Sequence, residues 1–200
     1  MYQEDTISAV TTPLGLGAVG IVRLSGPESL PLAEKMFRAA SGKPLHAYPV
    51  RTMVYGDVVD EQGHHVDEVL CVYMKAPHSY TAEDVVEFQC HGGTQSLREI
   101  LALTYRHGAR PAEPGEYTRR AFLNGRIDLV QAEAVMDIIH SRSAAALSSA
   151  VRQQEGALSK ELKEIRRALR DVIVHLEAVI DYPEEDIEDV TYPEVAHAIG

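Results

Sequence analysis

Short strand-like and helix-like stretches alternate through the first two-thirds of the chain. Residues 5–11 (DTISAVT) alternate weakly, and residues 19–24 (VGIVRL) predict a strand that Ser25-Gly26-Pro27 ends. From Pro27 to Ala40, Leu30, Ala33, Met36 and Phe37 fall at helical spacing and predict a helix. Residues 51–59 and 66–74 predict two strands of a hairpin around the polar, Gly-containing loop 60–65. Residues 85–90 (VVEFQC) predict another strand, stopped by Gly92-Gly93. Leu97, Ile100, Leu101 and Leu103 predict a helix over 94–107, with Gly108 suited to its C-cap. Strand, helix, three strands and helix, in that order, imply an α+β domain with a mixed or antiparallel sheet.

After Pro114 the pattern changes, with no strand signal and no further proline until Pro183. Asp128 can cap a helix running LVQAEAVMDII, and Ser141 or Ser143 can cap a second, longer one. The apolar positions of the longer helix are Leu147, Val151, Leu158, Leu162, Ile165, Leu169, Val172, Leu176 and Val179, close to a seven-residue repeat. They make one stripe about 50 Å long at roughly 1.5 Å per residue. One helix cannot bury such a stripe alone, so it calls for another chain or for sequence beyond Gly200. Tyr182-Pro183-Glu184-Glu185-Asp186 is expected to break the helix in an acidic linker.

With 200 residues there is room for one domain and a substantial appendage, or two small domains. Net charge is −11, yet residues 177–194 hold eight acids and no Lys or Arg, and outside them 22 acids face 19 bases. The body is therefore nearly balanced, which argues against a general nucleic-acid clamp with a basic face. Cys71 and Cys90 are the two cysteines, too few for a disulfide framework or a four-cysteine zinc site. No apolar run approaches 18 residues, and MYQEDTIS is too acidic and polar for a signal peptide, so the expected location is the cytoplasm, with no membrane partner.

Several constellations invite chemistry. Gly15-Leu16-Gly17-Ala18-Val19-Gly20 spells G-x-G-x-x-G, but the strand-like IVRLSG follows where a dinucleotide fold needs a helix, so a turn or ligand-lining loop is expected. A G-x-x-x-x-G-K-[ST] loop is absent from the sequence, and this chain by itself is expected not to hydrolyse a nucleoside triphosphate. Cys90-His91 lacks a partner at metal-ligand spacing and reads as a buried strand-end thiol beside a loop imidazole. His64-His65 reads as solvated. The loop His78-Ser79-Tyr80-Thr81-Ala82-Glu83-Asp84 is polar and aromatic and leads into a strand on which Glu87 falls opposite Val86 and Phe88. Glu87 is either a solvated surface acid or a carboxylate aimed into a pocket, where it could accept hydrogen bonds from a donor–donor ring edge. Arg110, Arg119, Arg120 and Arg126 crowd residues 109–129. They are either helix-surface charge with carboxylate neighbours or an anion site, since guanidinium grips carboxylate or phosphate in a fork.

The blocks PLGLGAVGIVRLSG, APHSYTAEDVVEFQCHGG and RPAEPGEYTRRAFLNGRIDLVQAEAVMDII, in that order, closely resemble the tRNA-modification GTPase family MnmE, also called TrmE. The resemblance implies a tetrahydrofolate-binding and dimerisation domain over 1–118, related to that of glycine-cleavage T-proteins. The first segment of a helical domain would follow over 119–200, with a Ras-like G domain inserted into that helical domain but absent from this chain. It implies a homodimer through the N-terminal domain, and 5-formyl- or 5,10-methylene-tetrahydrofolate as the one-carbon cofactor. With a flavoprotein partner of the MnmG type, the family builds an aminomethyl-type group on C5 of the wobble uridine of certain tRNAs. GTP, Mg and K are expected only in the missing G domain. Carried over by motif, the folate contacts are Arg23 of IVRLSG, Glu87 closing AEDVVE, and Arg126 of LNGRIDL. No residue is assigned catalytic acid–base work or metal ligation. Glu87 would take the donor edge of the ring, and the two arginines would hold the anionic tail or a polarised carbonyl; which arginine does which is not legible in the sequence. Two other readings stand beside this one: a free-standing folate-dependent one-carbon transferase, and a purely structural dimerisation module.

Overall fold

The structure is a computed structural model, and it describes residues 5–13, 15 and 17–181. Two compact units divide the chain, Met1–Ile127 and Asp128–Gly200. The expected acidic linker at 182–186 lies outside the described residues. Among those residues, no helix is long and apolar enough to cross a membrane.

The first unit is α+β, built on a seven-stranded sheet. In chain order its strands are β1 (Ile7–Val10), β2 (Val19–Ser25), β3 (Phe37–Ala39), β4 (Met53–Val59), β5 (His65–Met74), β6 (Val85–His91) and β7 (Arg110–Pro111). They lie in the order β3-β4-β5-β6-β2-β1-β7. Every pairing is antiparallel except β1 with β7. The β4–β5 hairpin turns on Asp60, whose Oδ1 accepts the amides of Gln62 at 2.9 Å and His64 at 2.7 Å, an Asx-type turn.

Alternation along the strands decides where the core sits. Val22 and Leu24 of β2, Val58 of β4, Cys71 of β5 and Val86 and Phe88 of β6 point to one face and are buried. Leu32 and Met36 of α1 (Ser29–Met36) and Leu97, Ile100 and Leu103 of α2 (Thr94–Arg106) complete that cluster. Gly20, the last glycine of the G-x-G-x-x-G run, permits this approach: a Cβ there would stand 2.6 Å from Leu97 Cδ2. The run leads directly into β2, so no helix N-terminus follows it.

Two expected elements differ. The helix expected to run to Ala40 stops at Met36, and Phe37–Ala39 becomes edge strand β3, pairing with Val58, Asp57 and Gly56. Phe37 suits either state, because its ring reaches the same core and sits 6.2 Å from that of Phe88. A helix α3 (Glu116–Leu123) also forms where the sequence showed turn formers and charges. It lies wholly within the first unit.

The second unit contains helices α4 (Leu129–His140), α5 (Ala144–Gln154) and α6 (Ala157–Asp181). Asp128 caps α4 in a capping box: its side chain accepts the Gln131 amide, and the Gln131 side chain accepts the Asp128 amide. Ser143 caps α5 through the Ala146 amide at 3.1 Å. The long helix expected from there to Val179 is two helices. Gly156 breaks it at φ +87°, a conformation that costs most residues but not glycine. Along α6, Leu158, Leu162, Ile165, Leu169 and Leu176 of the stripe are exposed.

Candidate functional site

Arg23 and Glu87 are direct partners across the β2–β6 ladder, and both lie on the sheet face opposite the core. Their side chains join there, with Arg23 Nε donating to Glu87 Oε1 at 2.6 Å and Nη2 at the same distance from that oxygen. Both are partly screened, with 23% of the Arg23 and 13% of the Glu87 side chain exposed. Oε2 of Glu87 has no hydrogen-bond partner among the described residues. It is the oxygen left to accept a donor.

Two tyrosines frame this pair. The Arg23 guanidinium carbon lies 5.7 Å from the Tyr80 ring centroid and 5.4 Å from that of Tyr117, within cation–π range. Tyr117, on α3, donates its hydroxyl to the Arg23 carbonyl oxygen at 2.8 Å, and burial pushes its phenol well above the usual range. Tyr80 Oη and Thr118 Oγ1 share a hydrogen bond of 2.9 Å, which ties the loop to α3.

Arg126 reaches the same place by a different route. Helix α3 ends in a Schellman arrangement: the Gly125 amide donates to Phe122 O at 3.0 Å, and the Arg126 amide to Ala121 O at 2.9 Å. This arrangement needs a left-handed residue after the cap, and Gly125 supplies it at φ +70°. The C-cap residue Asn124 donates its Nδ2 to Thr81 O at 2.7 Å, fastening the turn to the Tyr80 loop. The Arg126 guanidinium carbon then lies 5.2 Å from the Tyr80 ring centroid. Arg126 is exposed and forms no ion pair with any other described residue. The structure thus brings together all three expected contacts, Arg23, Glu87 and Arg126, around one aromatic ring.

The other crowded arginines do different work. Glu116, with 1% of its side chain exposed, receives Arg110 in a fork, Nη2 to Oε1 at 2.6 Å and Nη1 to Oε2 at 3.1 Å. It also accepts Arg120 Nη2 at 3.1 Å and the Glu113 amide at 2.7 Å. Burial pushes the Glu116 carboxyl up, but these donors outweigh it and hold the carboxyl at about 2. Arg120, itself buried, further binds the carboxylate of Asp5, the Asp5 carbonyl at 2.8 Å, and Glu83 at 3.2 Å. The Arg110 and Arg120 hydrogen bonds, the former the stronger influence, hold the Asp5 carboxyl below its ordinary range. Glu83 Oε2 accepts Ser25 Oγ at 2.6 Å. For Arg110 and Arg120 the reading as structural charge therefore holds. Their network pins the N-terminal segment, the end of β2, the Tyr80 loop and α3 to one another. Arg119 is exposed and pairs with Glu113 at 3.1 Å.

Tyr80 and Tyr117 were not singled out from sequence. The available signal was an aromatic in each of two motif-bearing segments, SYTAED and GEYTRR. A further group also escaped notice: Asp67, nearly buried, accepts the His91 amide at 3.0 Å, His91 Nδ1 at 2.6 Å and the Ser96 hydroxyl. Asp67 thereby anchors the first turn of α2, whose N-cap Gly93 has no side chain to do so. The neighbouring Cys90 is a buried thiol that donates to Gly20 O at 3.2 Å, and burial pushes it up to about 11.

Comparison with known families matches residues 6–126 to "GTP-binding protein TrmE N-terminus" and residues 129–200 to "MnmE helical domain". Curated relatives bear the name tRNA modification GTPase MnmE. The protein of Clostridioides difficile (strain 630) is 50% identical over 192 residues, covering 96% of this chain and 42% of that protein. That of Geobacillus thermodenitrificans (strain NG80-2) is 49% identical over 193 residues, again 96% and 42%. That of Acetivibrio thermocellus is 48% identical over 201 residues, 100% of this chain and 43% of the relative. The chain spans less than half the length of the curated relatives it matches.

Proposed function

Since the chain belongs to the MnmE (TrmE) family, we propose that its first unit binds a one-carbon tetrahydrofolate, 5-formyl or 5,10-methylene, between Arg23, Glu87 and Arg126. One observation carries the reading: an acid with an unused oxygen and two guanidiniums, from residues up to 103 positions apart in sequence, meet around Tyr80. That donor set fits the ligand. A reduced pteridine is flat and largely apolar, offers an N–H and amino edge to a carboxylate, and carries an anionic glutamate tail. The folate supplies the one-carbon unit when bound; the chain's own residues bind and orient it, and none is given a proton to move.

In the full-length protein this unit would also form the homodimer. It would act with an MnmG-type flavoprotein on C5 of the wobble uridine of certain tRNAs, while GTP, with Mg and K, would be handled by the family's G domain. Calorimetric titration of the chain with 5-formyl-tetrahydrofolate tests the site. Binding should be saturable, and Glu87→Ala and Arg126→Ala should each weaken it by roughly tenfold or more, the worth of a charge-assisted hydrogen bond, with the dimer intact on a sizing column. Unchanged affinity in both variants would remove the assignment. Turnover by this chain alone, without nucleotide or partner, would favour a free-standing transferase instead, and no binding up to millimolar folate a structural module.

A further inference from the structure

Outside its acidic end the chain is nearly balanced in charge, but that balance is an average, and α6 departs from it. Five of the 19 Lys and Arg residues, Lys160, Lys163, Arg166, Arg167 and Arg170, fall within 11 consecutive positions that hold two acids. All five are exposed. At about 100° per residue they share one arc of about 120° around the helix, over a length of about 15 Å. The exposed apolar stripe of Leu158, Leu162, Ile165, Leu169 and Leu176 keeps to a separate arc of about 60°. Glu161, Glu164 and Asp171 take the third side. Helix α6 is thus three-sided, with its charges sorted by sign. The sorting works against the isolated helix, because Lys163 with Arg167, and Arg166 with Arg170, stand four apart, a spacing at which like charges destabilise. Acids compensate little. Asp171, itself largely exposed, is 3.9 Å from Arg167 and from Arg170, and Lys163 lies within electrostatic reach of the Asp128 carboxylate. Lys160 and Arg166 form no ion pair among the described residues.

A row of cations this long fits an extended polyanion, which would also relieve the repulsion within the row. A duplex strand carries one phosphate per roughly 3.4 Å of axis in DNA, so 15 Å of strand offers about four. On an anionic membrane, entered apolar side first, the acidic side of α6 would lie against the headgroups beside the stripe, which argues against a lipid surface. Curated relatives carry tRNA modification in their name. Resting on the tRNA reading above, we infer that the basic row of α6 is a docking surface for the phosphate backbone of a tRNA stem. Helix α6 has no Phe, Tyr or Trp on which a base could stack, so the contact is with backbone alone. Such contacts position a duplex without reading its sequence, and one face then serves several tRNAs. Glu177, in line with the row but about 10 Å beyond Arg170, marks its end.

The test is fluorescence anisotropy of a labelled, unmodified tRNA titrated with the chain between about 50 and 200 mM KCl. Wild type should bind, and log affinity should fall linearly with log salt at a slope of about −3 to −4, the release expected for four phosphates. The double variant Lys160→Gln/Arg166→Gln removes the two cations that have no acid partner. It should bind roughly fivefold or more weakly at low salt, with a slope shallower by about one to two. Lys43→Gln/Arg98→Gln makes the same charge change at exposed positions of the first unit and should alter affinity by less than about twofold. Circular dichroism should show the helices intact in both. Equal losses in the two double variants would reduce the effect to net charge and overturn the docking face. Unchanged binding in the α6 variant would overturn it too, leaving the tRNA reading to another surface. Wild type that binds no tRNA removes the face and this chain's share in that reading, while the folate titration is read independently. Poly-glutamate or anionic phospholipid vesicles that bind as tightly as tRNA at the same salt, through the same two cations, would assign the row to an acidic protein or a membrane and overturn its assignment to RNA.

Discussion

Replacing Glu116 by Gln tests the buried charge network with little change of shape. Glu116 holds two arginines and a backbone amide with almost no contact with water. Its carboxyl falls from the ordinary 4.5 to about 2. At about 1.4 kcal/mol per tenfold change in proton affinity, that fall amounts to about 3 kcal/mol of folding stability at neutral pH. Removing one partner from a buried ion pair costs about 3–5 kcal/mol in other proteins, the same range. Glu116→Gln should therefore lower the melting temperature by roughly 10 °C at pH 7. The folded pKa lies below the unfolded one, so as pH falls the unfolded chain takes up the proton first. The contribution is complete above about pH 4.5 and drains away between there and about pH 2. Urea unfolding of wild type and Glu116→Gln, followed by circular dichroism from pH 7 to pH 3, measures this directly. The gap between the two should be widest above pH 5 and should shrink on acidification. A gap below about 1 kcal/mol at pH 7, or one equally wide at pH 3, would refute the reasoning.

Gly156→Ala should destabilise the second unit by about 1 kcal/mol, because Gly156 sits at φ +87° and a Cβ is penalised there by the backbone and not by crowding; thermal melts of the two proteins check this. His91 should titrate above its ordinary 6.5, because the Asp67 carboxylate holds its Nδ1 proton. NMR titration should show that shift, and Asp67→Asn should abolish it. With the folded pKa raised, whatever stability the His91–Asp67 pair adds is present at acid pH and lost as pH climbs through that pKa.

Most strands were legible because their buried face is apolar and alternates. Val22 and Leu24, and Val86 and Phe88, announce β2 and β6 and also place Arg23 and Glu87 on the opposite face. What alternation cannot supply is register. That Arg23 stands opposite Glu87, and not one step along, follows only from the ladder. Helix α3 was hidden for a physical reason: its most buried side carries Glu116 and Arg120 with only Ala121 as apolar filler, so a search for hydrophobic periodicity finds nothing. The break at Gly156 was masked by the stripe itself, since the step of seven from Val151 to Leu158 keeps heptad phase across it. Which arginines are structural could not be told from composition, because Arg110, Arg120 and Arg126 differ only in which carboxylates the fold brings to them.

The sheet order has a consequence for how the protein is made. Strand β2 leaves the ribosome early but lies between β1 and β6, so its inner edge stays unpaired until some 60 further residues have been synthesised. Arg126 emerges later still, after α3 has wound and turned at Gly125. A nascent chain thus exposes a long edge while lacking any part of the Tyr80 cluster's final geometry, and such distant closures are slow. Translational pausing before β6 is complete would leave that edge open, whereas pausing between β6 and residue 126 would leave the sheet paired and the site short of its second guanidinium.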